Sequence, residues 1–306
     1  MDDVLAPAPA PAARRPVQEG SMGRTFRRLV LLGPGLAWWL VFLVVPLLVV
    51  LAYSFFHRGT YGGVVFDFTL DNYVRALDPL YLNVLWFSLR VAVITTMVAL
   101  LIGYPAAYFI ATRPRRWRTP LLILIILPFW TSFLIRTYAW IVLLNREGLI
   151  NRSLMGLGII DQPLPLLYNE FAIVIGLVYG YLPLMILPLY AAIERLNPEL
   201  REAATNLGAR PIKVFFTLTV PLTLQGIVAG CIFVFVPSLG NFIVPDLLGG
   251  GRSIMVGNLI QGQFLKARDW PFGATLALVL IALMLVLLVV QARIINRDRP
   301  AGADAS

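Results

Sequence analysis

Long uninterrupted apolar runs, separated by short segments that hold most of the charge, dominate this chain. Six runs reach the roughly 20 residues that a helix needs to cross a hydrocarbon core: Leu29 to Tyr53, Val84 to Thr112, Pro120 to Leu144, Phe171 to Ile193, Leu218 to Val244 and Phe272 to Ile294. Their apolar positions are continuous rather than alternating, which predicts helices instead of barrel strands. The pattern predicts an all-α membrane protein with six transmembrane helices across residues 29–294, flanked by tails at 1–28 and 295–306. The first tail carries the stretch APAPAPAARRP, which cannot bury enough apolar surface to fold and reads as disordered. Its A-x-A pattern precedes an apolar run instead of following one, so it does not read as a signal cleavage site.

Composition agrees with the pattern. Of 306 residues 59% are apolar and 13% charged, and the mean hydropathy is +0.80, too apolar for a soluble domain of this length. Lysine and arginine fall unevenly: sixteen lie in the two tails and the second and fourth connections, against seven in the alternate connections. By the positive-inside rule both termini and the segment around 195–217 are predicted to be cytoplasmic. The net charge of +9 then sits beside the inner leaflet and needs no nucleic acid to explain it. The single cysteine, Cys231, falls inside the fifth run, and the single histidine, His57, just outside the first, so no metal cluster is predicted.

The segment from Asn197 to Gly230 is the one long charged, helix-capped stretch between apolar runs. Asn197 before Pro198 reads as an N-cap followed by a residue whose missing N–H costs nothing at the first helical position. Glu199 and Glu202 follow near the positive end of the helix dipole. Gly208 can leave the helix with φ above zero, and Pro211 opens a second helix striped by Ile212, Phe215 and Phe216. Ala203 and Ala204 allow close approach of another chain. On spacing alone the segment is also compatible with an ordinary amphipathic connector.

These residues resemble the EAA loop of ABC importer permeases, through Glu202, Ala203, Ala204, Leu207, Gly208, Ala209 and Pro221. Val220 stands where a leucine is usual and Gln225 where a proline is usual, both at the entry to the next run rather than in the turn. Three further segments, Leu127 to Leu144, Tyr181 to Ala204 and Val256 to Ala274, resemble the spermidine/putrescine-type permeases of that group. The resemblance implies a type I ABC importer architecture with a cytoplasmic EAA coupling helix, in a bacterial inner membrane. It implies as partners two copies of an ATPase subunit, a second homologous permease and a periplasmic solute-binding protein. It assigns coupling to Glu202, Ala203, Ala204, Leu207, Gly208 and Ala209, and polyamines as solute, with opines, ferric chelates or phosphonates as alternatives for the same machine.

The chemistry that is missing points the same way. The chain has no phosphate-binding loop; Gly249-Gly250-Gly251-Arg252-Ser253 lacks the lysine and follows no strand. Hydrolysis therefore falls to a separate subunit that binds ATP and Mg²⁺, and this chain is expected to be no enzyme and to hold no cofactor. Acids are nearly absent from the runs, which leaves an ion-coupled secondary transporter little to work with.

Pro183 and Pro188 are predicted to interrupt the fourth run, and Pro237, Gly240, Asn241 and Pro245 the fifth, which nominates those two as the lining of a path. An ammonium-bearing solute suits carboxylates and aromatic faces. Trp130, Tyr179, Tyr181, Asp246 and Glu170 are the candidates, although aromatics at this depth also serve as an interfacial belt. Arg90 and Arg136 lie within runs, either paired with Glu170 or Asp246 or lining the path. The connection from Asp246 to Trp270 is long, carries a predicted helix over 258–265, and is expected to seat the binding protein and gate the outer mouth.

Overall fold

The computed structural model describes residues 32–35, 37–251 and 253–297; the predicted N-terminal tail, 1–28, lies outside them. The chain divides into two units, residues 1–50 and 51–306. The first holds most of the apolar helix α1 (Leu32–Tyr53), in which the rings of Trp38 and Phe42, one turn apart, stand 4.1 Å from each other.

The second unit begins with a small antiparallel hairpin, β1 (Phe56–Arg58) and β2 (Val64–Phe68), which the apolar runs did not foretell. A short helix, α2 (Asp71–Ala76), follows. The long α3 (Pro79–Ala111) starts where Asp78 accepts from the Leu80 amide at 2.8 Å, with Pro79 at the first position. Next come α4 (Arg115–Ile126), α5 (Phe133–Leu144) and α6 (Leu149–Gly156). Asn169 caps α7 (Glu170–Glu194), accepting from the Ala172 amide at 2.9 Å. After it run α8 (Pro198–Asn206), α9 (Pro211–Leu222), α10 (Leu224–Gly240), α11 (Ile243–Leu248), α12 (Val256–Gly262) and α13 (Trp270–Arg297).

Among the described residues four helices, α1, α3, α7 and α13, are long and apolar enough to cross a membrane unaided. Two bent pairs bring the number to six if each counts as one span: α4 through Trp130 with α5 and α6, bent by 88°, and α9 with α10, bent by 68°. The expected third helix, Pro120 to Leu144, is therefore not continuous; Thr131 and Ser132 are extended, with ψ of 152° and 132°. The fourth departs in the opposite sense, because α7 runs unbroken through Pro183 and Pro188. Each proline deletes one donor, but α7 is packed between α3 and α10, and neighbouring helices hold such a segment helical. The fifth breaks at Asn241 as expected, but Pro237 and Pro245 lie inside α10 and α11 without interrupting them, and its 68° bend falls at Thr223, which the sequence pattern did not predict. The predicted helix over 258–265 is present as α12 and a π turn to Ala267. At the C-terminal end α13 continues to Arg297, so the predicted tail at 295–306 begins as helix.

Helices α3, α7 and α10 form the core around Tyr104, Ala107, Met185, Ile186, Leu189 and Val234. Small residues set their spacing. A Cβ on Gly226 would stand 2.9 Å from the Pro188 carbonyl, and one on Gly230 would stand 2.7 Å from the Met185 sulfur. A second cluster joins α7 and α11 through Ile173, Leu177, Val244 and Leu248. Large apolar side chains such as Trp86, Met97 and Leu101 are exposed, as suits a lipid-facing surface and not a water-facing one. Replacing Gly226 by leucine is expected to cost about 1–3 kcal/mol through overpacking against the Pro188 backbone. The check is melting in detergent, with Gly240→Ala, where a Cβ meets nothing within 4 Å, expected to melt like the parent.

Candidate functional site

Two regions carry candidate chemistry, at opposite ends of the bundle. At the first, Asn197 caps α8, accepting from the Glu199 amide at 3.0 Å, as its position before Pro198 predicts. The helix ends at Gly208, whose φ of +83° is the left-handed conformation that glycine adopts without a steric cost. Glu202, Ala203, Leu207 and Gly208 are exposed, and Ala204 and Ala209 half-buried. Leu207 is 88% exposed and Ile212 75%, so this turn presents apolar side chains to the surroundings instead of to the bundle. The other face of α8 meets the spans through Arg201, which donates to the Tyr108 hydroxyl at 3.2 Å. Sequence reasoning did not single out Tyr108; its signal was the i, i+4 pair it makes with Tyr104 on one face of α3.

At the hairpin end, the five path candidates do not converge on one point. Trp130 is 81% exposed, at the last position before the break in the third span. Tyr179 packs edge-on against Trp140, ring centroids 5.6 Å apart. Tyr181 is half-buried and occupied: its hydroxyl accepts from Asn241 Nδ2 at 2.7 Å and donates to the Pro237 carbonyl at 3.4 Å. Asn241 also accepts from the Val244 amide at 2.9 Å, so Asn241 and Tyr181 together serve the two flanks of the break in the fifth span. Asp246, on α11, is exposed and lines a cavity of about 440 Å³ with Asn258, Gln261 and Lys266. Among the described residues no cluster of three His, Cys, Asp or Glu side chains is placed to hold a metal ion.

The two arginines inside spans behave differently. Arg90 forms an ion pair with Glu170, which resolves one of the pairings anticipated for it. Arg136 has no acidic partner among the described residues; its guanidinium lies over the rings of Phe129 and Phe133, 4.9 and 5.6 Å from their centroids, and its Nε is buried without an acceptor. Beyond the spans, Arg75 bonds Asp269 at 2.8 Å and tops the Phe272 ring. Burial pulls the Arg75 pKa down, but its hydrogen bonds to Asp269 and Tyr81 outweigh that and hold it above the ordinary value. With Arg58 donating to the Ala267 carbonyl at 2.7 Å, this pair fastens the hairpin and α2 to the start of α13.

Residues 99–299 match the family described as binding-protein-dependent transport system inner membrane component, and the chain belongs to that family. Its fold is that of a type I ABC importer permease. The chain is 44% identical over 263 residues to the spermidine/putrescine transport system permease protein PotB of Escherichia coli K12, covering 85% of this chain and 96% of that one. It is 45% identical over 257 residues to PotB of Haemophilus influenzae, covering 84% and 90%. Among solved structures, a bacterial ABC transporter that imports the acidic polysaccharide alginate superposes with a TM-score of 0.70 at 17% identity, covering 92% of this chain and 100% of that one.

If the Arg90–Glu170 pair holds the second and fourth spans together, Arg90→Gln and Glu170→Gln each leave a charge without its partner. Each is expected to lower the melting temperature by on the order of 2–4 °C, and the double variant by no more than either single one. Melting curves of the four proteins check this.

Proposed function

We infer that this chain is a permease subunit of an ATP-driven ABC importer for polyamines of the spermidine/putrescine class. The observation that carries the reading is the 44% identity to PotB of Escherichia coli across 96% of that protein's length. A path of this kind needs no catalytic residue in the chain itself. ATP and Mg²⁺ are bound by a partner ATPase in two copies, a second homologous permease completes the path, and a periplasmic binding protein delivers the solute. The excess of lysine and arginine on the α8 side supports an orientation with both termini and α8 in the cytoplasm of a bacterial inner membrane.

In this reading Glu202, Ala203, Ala204, Leu207, Gly208 and Ala209 form the face gripped by the ATPase, which the exposure of Glu202, Ala203, Leu207 and Gly208 supports. Trp130 and Asp246, both exposed, are the candidates to meet an ammonium group. Tyr179 and Tyr181 shape the wall, and Glu170, already neutralised by Arg90, sets the charge balance near the mouth. The loop that carries Asp246 and α12 helps to seat the binding protein.

The experiment is ATP hydrolysis by the complex in lipid nanodiscs, with the binding protein, against putrescine, spermidine, an opine, a ferric chelate and a phosphonate. Stimulation by the polyamines alone is expected. Stimulation by an anion or chelate instead would make Arg136, which lacks an acid partner among the described residues, the first substrate contact to test. Gly208→Val, at φ +83°, imposes backbone strain of about 1–2 kcal/mol without a clash, since nothing lies within 4 Å of its Cβ. It is expected to insert normally and to lose most solute uptake; unimpaired uptake contradicts the coupling assignment.

A further inference from the structure

Helix α8 meets the bundle across a gap. A cavity of about 240 Å³ separates them, lined by Tyr108, Arg118, Glu194, Arg201 and Leu222 with others. Among the described residues, the side-chain hydrogen bond that crosses from α8 to a span is the one from Arg201 to Tyr108, at 3.2 Å. Tyr108 does not stand alone. Its ring meets Phe215 edge-on, at 5.5 Å and 87°, and Tyr104, one turn earlier on α3, meets the same Phe215 edge-on at 5.4 Å and 89°. Tyr104 is buried, and its hydroxyl lies 2.9 Å from the Thr223 hydroxyl. Thr223 is the buried residue at which α9 turns by 68° into α10.

The backbone around Thr223 is already loosened. Pro221 has no N–H, and a π turn over Phe215–Thr219 precedes it, so the regular i to i−4 ladder is interrupted on the α8 side of the bend. The Thr223 hydroxyl has the Thr219 carbonyl within reach, at 2.9 Å. Tyr104 is therefore not needed to satisfy it; what the Tyr104 contact adds is a tie between the second span and the bend of the fifth. Close-packed rings with few rotamers pass a displacement on instead of absorbing it.

We propose that Tyr108, Tyr104 and Thr223 are positioning residues that carry movement of α8, through Phe215, to the bend of the fifth span. The inference rests on the reading of the chain as an ATP-coupled permease and adds the route by which that coupling reaches the spans. Displacing α8 pulls Tyr108 through Arg201, Phe215 turns between the two tyrosines, and Tyr104 shifts the angle held at Thr223. The cavity behind α8 supplies the room for that movement.

The test uses the whole complex in proteoliposomes, with ATP hydrolysis and uptake of labelled spermidine followed in parallel. Tyr104→Phe and Thr223→Val are each expected to lower uptake per ATP hydrolysed about five-fold, as expected for one buried hydrogen bond, while hydrolysis continues. The double variant is expected to match the single ones, and Thr223→Ser, which keeps the hydroxyl, to restore the ratio. Tyr108→Phe, which removes only the hydroxyl at the cavity, is expected to lower the ratio as well and serves if a buried variant fails to assemble. An unchanged ratio in Tyr104→Phe or Tyr108→Phe, or a fall in uptake and hydrolysis by the same factor, overturns the proposal. A parent complex that transports another solute overturns the polyamine reading alone, and the ratio is then measured with that solute; uptake that needs no ATP overturns both.

Discussion

Hydrocarbon offers a polypeptide no hydrogen-bond partner, so every backbone donor and acceptor inside the membrane must be answered from within the protein. The architecture follows from how this is done. Where the ladder is whole, as along α13, nothing else is required. Where a span breaks between helices, a polar side chain stands at the break. Thr131 donates to the Pro128 carbonyl at 2.7 Å in the third span, and Thr223 donates to the Thr219 carbonyl at 2.9 Å in the fifth. Asn241 and Tyr181 together serve the second break in the fifth, Asn241 on the Val244 amide and Tyr181 on the Pro237 carbonyl. The bends are thus stable features of the fold.

A rigid frame makes those bends consequential. Helices α3, α7 and α10 approach closely because Gly103, Gly226 and Gly230 face the side chains or backbone of α7, leaving no space for adjustment. The second cluster extends this packing toward the hairpin end, where Gly176 faces Leu248 on α11. The exposed α8 and the extended break at Thr131 and Ser132 stand outside this close packing.

Charge is placed on the same logic. Arg118 pairs with Glu194 at 3.0 Å at the α8 end, Arg75 with Asp269 at the hairpin end, and Arg90 with Glu170 near a span boundary. Each pair ties two segments distant in sequence. Arg136 differs, resting on aromatic faces in place of an acid, which lessens the cost of a guanidinium among apolar residues.

By itself the sequence determined the class of protein, the existence of the apolar spans, the cap at Asn197, the glycine turn at Gly208 and the break at Asn241. Each is decided by residues close in the chain: hydropathy over about 20 positions, one capping side chain, or one conformation that favours glycine. The tertiary structure alone decided that Pro183 and Pro188 leave α7 intact, that Thr131 and Ser132 divide the third span, and that Tyr181 is held by Asn241. Those outcomes depend on what packs alongside. A proline kinks a helix only if its neighbours let it, and whether a tyrosine is free for solute depends on an amide 60 positions away.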